Sequence, residues 1–222
     1  LPSNDLLNYL TADLSADLAL AHRLADAARS VTMPRFPGPF ASRKKADGSL
    51  VTEVDEATED AIRAIVARER PHDAFLGEER GETGSGSRRW IVDAIDGTLD
   101  FAAGTTGWGT LIALEIDGRV AVGVCEMSRI GKRYWATRGG GAFVSAGGAR
   151  EARLAVSDTA ELAAARCFVP PELWVRTDAA RAMSRAVGAA TLSYEQDEHP
   201  ALEMALGSAD LCVFFMAGAW DL

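Results

Sequence analysis

Cysteine is scarce in this chain. Only Cys125, Cys167 and Cys212 occur, odd in number and far apart. They fit no CxxC or zinc spacing, so free buried thiols in a reducing cytoplasm are expected. Basic residues are outnumbered, with 23 Lys and Arg against 32 Asp and Glu and a net charge of −9. That balance leaves no cationic footprint for nucleic acid or an anionic membrane. No stretch reaches the roughly 20 apolar residues of a membrane span. The opening LPSNDLLNYLTADLSADLAL lacks a basic n-region and reads as an amphipathic helix, not a signal peptide. Histidine is rare too: His22, His72 and His199 are scattered, and none is assigned to catalysis. There is no repeat and no clear linker. What is present is globular in composition: 222 residues, 48% hydrophobic and 25% charged. That suffices for one sizeable domain or two small lobes sharing a core.

Hydrophobic spacing organises the chain. Leu7, Leu10, Leu14 and Leu18 predict a helix over about 5–30. A Pro/Gly/Ser-rich loop or edge strand follows. Asp55 to Arg70 reads as a second helix, with acids in its first turn and Pro71 after its end. DAFLGEERGETGSGS reads as a short strand and a loop, and RRWIVDAID as a buried strand. WGTLIALEIDGRVAVGVCEM reads as a hairpin turning at Asp117-Gly118. RIGKRYWATRGGGAFVSAGG gives another strand and a Gly-rich turn. From Ala149 on, short strands alternate with helices near 179–187 and 200–207. These elements predict a layered α+β or α/β protein, an N-terminal lobe over 1–145 and a C-terminal lobe over 146–222. The run FFMAGAWDL ends without a cap or polar tail, so further residues are expected beyond Leu222, and others before Leu1.

Acids gather in four places: Asp47, Asp55 and Glu59; Glu78 and Glu79; Asp93 and Asp96; and Asp221. Carboxylates brought together repel each other and resist desolvation, so a positive partner is expected. Mg²⁺ takes oxygen ligands. Asp93 and Asp96 flank a strand-to-helix turn and can face one cleft, with the Ile95 carbonyl between them. Gly97 and Thr98 then open a helix whose first N–H groups and dipole suit an anion. Taken alone, each element has a plainer reading. Asp55 is as good a helix cap as a site residue, Glu78-Glu79 reads as a solvated charge pair, and DAIDGT as an Asp-capped helix.

The ordered combination KADGSLVTEVD, FLGEE, WIVDAIDGTLDF, GVCEMSRIGKRYWATRGGGAF and AWD resembles the inositol monophosphatase superfamily, and within it the bacterial histidinol-phosphate phosphatases. The resemblance implies a layered αβαβα sandwich with a metal site between two lobes, usually as a homodimer. It also implies hydrolysis of a small phosphate monoester by metal-activated water. Glu78, Asp93 and the Ile95 carbonyl would hold one Mg²⁺, Asp93, Asp96 and Asp221 a second, and Glu78 with waters a third, weaker one. Mn²⁺ is a possible substitute, and inhibition by Li⁺ or Ca²⁺ is expected. Gly97 and Thr98 N–H groups would bind phosphate. Thr98 paired with Asp55 would orient the attacking water, and Lys45 matches the lysine near the cluster. No Cys-x5-Arg loop or DxDx(T/V) motif suggests a covalent phosphoenzyme.

The chain departs from the pattern at several positions. Ala94 replaces the usual proline, Asp100 an asparagine, and Phe214 a substrate-contacting glutamate. In the substrate wall, Asp197 matches an acid of the histidinol-phosphate enzymes, while Glu195, Gln196, Glu198 and His199 are idiosyncratic. Histidinol phosphate is the leading expectation for substrate. Inositol 1-phosphate and a nucleoside or sugar phosphate of specialised metabolism are the alternatives. A non-catalytic metal- or phosphate-sensing relative is the rival from another class.

Overall fold

The structure, a computed structural model, describes residues 13–46, 48–168, 177–178, 181–182 and 199–212. Helix α1 spans Ser15–Thr32, with Leu20, Ala21, Leu24, Ala25 and Ala28 buried at helical spacing. Leu7 and Leu10 lie outside the described residues. Strands β1 (Ser42–Lys44) and β2 (Leu50–Thr52) pair antiparallel in a small ribbon. Helix α2 runs Glu53–Glu69, two residues earlier than the sequence suggested. The physical reason is its cap. Thr52 accepts from the N–H groups of Val54 and Asp55, while Asp55 at N3 accepts from the Thr52 N–H, a complete capping box.

The central sheet is built from β3 (Ala74–Gly77), β4 (Gly81–Thr83), β5 (Arg88–Asp96), β6 (Gly109–Ile116), β7 (Arg119–Met127), β8 (Lys132–Thr137), β9 (Gly141–Ala146) and β10 (Ala152–Arg153). Helix α3, Thr98–Ala103, follows β5. The strand order is β10-β9-β8-β7-β6-β5-β3-β4. Within this sheet, among the described residues, only β3 and β5 pair parallel; the other pairs are antiparallel. At the β6–β7 turn, Asp117 (φ 53°) and Gly118 (φ 74°) are both left-handed, as a two-residue hairpin turn of the expected kind requires. Two stretches read as loop or turn are strands: Gly81–Thr83 pairs back on β3, and Gly141–Ala146 pairs with β8. Glycines at both strand starts hid them.

One sheet face carries Trp90, Val92, Ile112, Leu114, Val122 and Val124, packed on α1 and α2 with Ile62, Val66 and Phe75. Burying each such side chain contributes about 1.5–3 kcal/mol. A second, smaller core of Val54, Ile95, Phe101 and Trp108, flanked by Met33, Phe36 and Phe40, underpins α3. Phe101 is fully buried, edge-on to Trp108 with ring centres 4.8 Å apart. Phe101→Ala should therefore cost about 3–5 kcal/mol of stability, read as a lower denaturant midpoint at unchanged m-value.

Beyond the sheet, β11 (Cys167–Phe168) and β12 (Leu211–Cys212) pair parallel, and helix α4 spans Pro200–Ala205. The helix expected near 179–187 lies largely outside the described residues. All three cysteines are free; Cys167 is buried, and Cys125 and Cys212 are half-buried. No helix among the described residues is long and apolar enough to cross a membrane.

Candidate metal and phosphate site

Parallel pairing of β3 and β5 brings their C-terminal ends to one edge. Glu78, just past β3, donates its N–H to Val92 O at 3.2 Å, so it sits beside the start of the Asp93–Asp96 segment. Residues three apart on a regular strand point to opposite faces. Here a bulge intervenes: Asp93 pairs with Leu111 and Asp96 with Gly109, three residues of β5 against two of β6. Leu111 and Gly109 share a face, and paired residues share a side, so the extra residue turns Asp93 and Asp96 to the same face. This is the face opposite the α1–α2 core. Cys125, paired with Leu111, lies on it too. Burial, with the nearby Asp96 adding to it, pushes the Cys125 thiol pKa up.

Asp93 is 3% exposed, and its carboxylate accepts the Ile95 N–H at 3.0 Å. The oxygen donors of Glu78, Asp93, the Ile95 carbonyl and Asp96 are hard ligands of the kind Mg²⁺ takes. Among the described residues no three His, Cys, Asp or Glu side chains already converge as a metal cluster. Asp221, the remaining proposed ligand, lies outside the described residues.

Asp55 serves two partners at once. One carboxylate oxygen is held by Thr52, from both its N–H and its hydroxyl; the other faces Thr98 Oγ1 at 3.1 Å. The choice between helix cap and site residue was therefore not exclusive. Burial raises the Asp55 pKa, against the hydrogen bonds from Thr52 and Thr98. Thr98 Oγ1 also lies 3.1 Å from Ile95 O, which ties the hydroxyl to the bulge.

Glu78 and Glu79 are not a solvated pair. Lys45 Nζ donates to both at 2.7 Å, and the Glu79 side chain is 4% exposed. Burial pushes the Glu79 pKa up to about 7, opposed by Lys45. Burial works against the Lys45 ammonium, but the two glutamates outweigh it and its pKa is raised. Lys45 is thus the observed positive partner of part of the acidic group.

Gly97 is left-handed (φ 79°), and a Cβ there would fall 2.5 Å from Gly107 O. Only glycine fits this entry to α3. The helix is six residues long, too short for much of a dipole, so an anion would rely on the N–H groups themselves. Those of Thr98, Leu99 and Asp100 precede the first helical bond, from Phe101 N to Gly97 O at 3.0 Å. Asp100, which stands where an asparagine is usual, has partners in the loop that follows. Its carboxylate accepts from Thr105 Oγ1 at 2.5 Å and packs against Gly107, holding the loop after α3.

Glu195, Asp197 and Phe214 lie outside the described residues. His199, named with the substrate wall but given no role, neighbours the site. His199 caps α4, its Nδ1 accepting the Ala201 N–H at 3.3 Å. That leaves the proton of a neutral ring on Nε2, which reaches Asp96 Oδ2 at 3.1 Å. A histidine immediately before a helix-starting proline was the available signal. A cavity of about 590 Å³ opens elsewhere, lined by His22, Arg29, Glu126, Arg133 and Trp135, and none of the sequence-predicted site residues lines it.

A mixed sheet backed by two helices, with acids gathered at the ends of two parallel strands, defines a class of layered α+β proteins. The inositol monophosphatase family model matches residues 13–222, and the chain belongs to that family. A Streptomyces griseus protein named glucose-1-phosphate thymidylyltransferase is 49% identical over 138 residues, covering 61% of this chain and 53% of that protein. A histidinol-phosphatase of Mycobacterium tuberculosis is 47% identical over 164 residues, 72% of this chain and 63% of that protein. The Streptomyces coelicolor histidinol-phosphatase is 37% identical over 219 residues, 95% and 82%. The chain thus spans little more than half to under two thirds of the first two. Among solved structures, an inositol monophosphatase from Zymomonas mobilis superposes with TM-score 0.76 at 29% identity, over 95% of this chain and 80% of that one.

Proposed function

We propose that this chain is a phosphomonoesterase that hydrolyses a small polar phosphate ester with Mg²⁺, the substrate being histidinol phosphate or a related amine- or heterocycle-bearing ester. The observation that carries this reading is the Asp55–Thr98 pair at 3.1 Å, set beside the bulge that turns Asp93 and Asp96 to one face. Glu78, Asp93, Ile95 O, Asp96 and Asp221 would hold two or three ions. Bound there, Mg²⁺ supplies charge to activate the attacking water and to stabilise the leaving oxygen. The chain's own residues do the rest. Thr98 Oγ1 accepts a hydrogen bond from, and so orients, the water, passing its own proton toward Asp55 Oδ1. The raised Asp55 pKa suits a proton acceptor. N–H groups at Gly97 and Thr98 receive the phosphate, and Lys45 balances the charge of Glu78 and Glu79. The names of the two histidinol-phosphatase relatives favour that substrate. Two lobes divided near residue 145, a homodimer and a cytoplasmic location complete the proposal, with Mn²⁺ as substitute and Li⁺ or Ca²⁺ as inhibitors.

Glu195, Asp197 and Phe214 are proposed to meet the leaving group. An acid facing a substrate ammonium forms a charge-assisted hydrogen bond. An aromatic ring there adds about 0.5–2 kcal/mol to a cation. Expected is a higher kcat/KM for histidinol phosphate or a nucleoside monophosphate than for inositol 1-phosphate, with the value for the amine-bearing substrate reduced by Asp197→Asn. Phosphate release across this panel is the test. Preference for inositol 1-phosphate, or indifference to Asp197→Asn, would refute the substrate assignment. Product from glucose 1-phosphate and dTTP, with no phosphate release from any ester, would refute hydrolysis itself.

A further inference from the structure

Glu59 is fully buried on α2, yet it is a carboxylate in the protein interior. Its Oε2 accepts the Glu79 N–H at 2.7 Å, and its Oε1 accepts the Arg80 N–H at 3.1 Å and an Arg63 guanidinium N–H at 2.6 Å. Arg63 is itself fixed, donating to Gly81 O at 2.9 Å and Thr83 Oγ1 at 2.7 Å and lying 4.3 Å over the Phe75 ring. Gly77, the last residue of β3, leaves the room: a Cβ there would fall inside the Glu59 carboxylate. Every oxygen of this buried charge is therefore spent on the turn that follows β3. A buried carboxylate bonded to successive N–H groups holds a backbone far more firmly than a solvated loop holds itself.

That turn carries Glu78 and Glu79. With Glu78 N bonded to Val92 O on one side and Glu79 N and Arg80 N bonded to Glu59 on the other, the backbone at Glu78 is pinned from both directions. We propose that Glu59 is a positioning residue: it sets Glu78 in place to bind the metal ion and never touches ion or substrate. The inference rests on the reading of Glu78 as a metal ligand, and its consequence is that metal affinity depends on a residue of another element whose two oxygens are both bonded to the turn.

The test is calorimetry of the full chain with Mg²⁺ alone. Glu59→Gln keeps the shape but turns an amide toward the Arg80 or Glu79 N–H, so one anchor is lost. Mg²⁺ affinity should fall about 10-fold or more, because a displaced ligand in a near-octahedral site is poorly tolerated. Glu59→Asp keeps the charge for Arg63 but withdraws it from both N–H groups, and should weaken Mg²⁺ in the same way if Glu59→Gln does not fold. Arg63→Gln removes the guanidinium but leaves both N–H anchors. It should lower the thermal midpoint while keeping Mg²⁺ affinity within about 2-fold, a split that general destabilisation would not produce. Folded Glu59→Gln or Glu59→Asp with wild-type Mg²⁺ affinity would overturn the proposal, as would an equal loss in Arg63→Gln. Glu78→Gln separates the two levels. If it keeps wild-type Mg²⁺ affinity, the ligand assignment fails; if it loses affinity while the Glu59 variants do not, only the positioning role fails.

Discussion

Asp93→Asn is expected to lower the rate of phosphate release by at least ~10²-fold, and excess chelator to abolish it, with Mg²⁺ restoring it. The substitution is nearly isosteric, and the amide oxygen of Asn can still accept the Ile95 N–H that Asp93 accepts at 3.0 Å. Asn at this position should therefore fold and keep the bulge. What it loses is the charge of a 3%-exposed carboxylate that shares its face with Asp96 and is proposed as a ligand to two ions. Removing one of two carboxylates that share a face also relieves repulsion, so the variant without metal should be no less stable than wild type, and calorimetry of unfolding checks this. Full activity in excess chelator would end the metal-dependent mechanism. A stable Asp93→Asn with unimpaired rate would remove Asp93 from the site.

Thr98→Ala should reduce kcat about 10²-fold, within the usual range for loss of a proton-transfer group, and leave Mg²⁺ affinity nearly unchanged. The hydroxyl links Asp55 Oδ1 and Ile95 O, each at 3.1 Å, but is not assigned to an ion. Thr98→Ser keeps the hydroxyl and should recover most of the rate. Asp55→Asn is a sterner comparison, since it also disturbs the Thr52 capping box and should lower stability by about 0.5–2 kcal/mol besides slowing the reaction. If metal affinity collapses in Thr98→Ala while kcat at saturating Mg²⁺ holds, the assigned role is wrong.

Much of the architecture is legible in the sequence. The Asp117-Gly118 dipeptide marked a hairpin because both central positions need positive φ. The apolar run in RRWIVDAID marked a buried strand. What escapes a local reading is a contact made from far along the chain. The turn Glu78-Glu79 looked like a solvated pair because nothing local reveals that Lys45, over thirty residues earlier, closes on both. Asp100 reads only as a replaced asparagine, because its partners Thr105 and Gly107 are brought back by the loop after α3. His199 went unassigned because its contact with Asp96 joins residues about a hundred positions apart.

By itself the sequence determined which residue types are present, their order and their periodicity: oxygen donors rather than thiols, a glycine where Gly107 O comes too close for a side chain, and apolar residues spaced for helix or strand. These are local, and short-range sterics and burial preferences act on them directly. Only the tertiary structure decided which carboxylates meet. Asp93 and Asp96 share a face because a bulge against β6 adds one residue, and Glu78 joins their edge because β3 and β5 run parallel. Glu59 reaches that turn because α2 packs across the sheet. Register and crossing of elements are set by the summed burial of a whole core, and no window of sequence contains that sum.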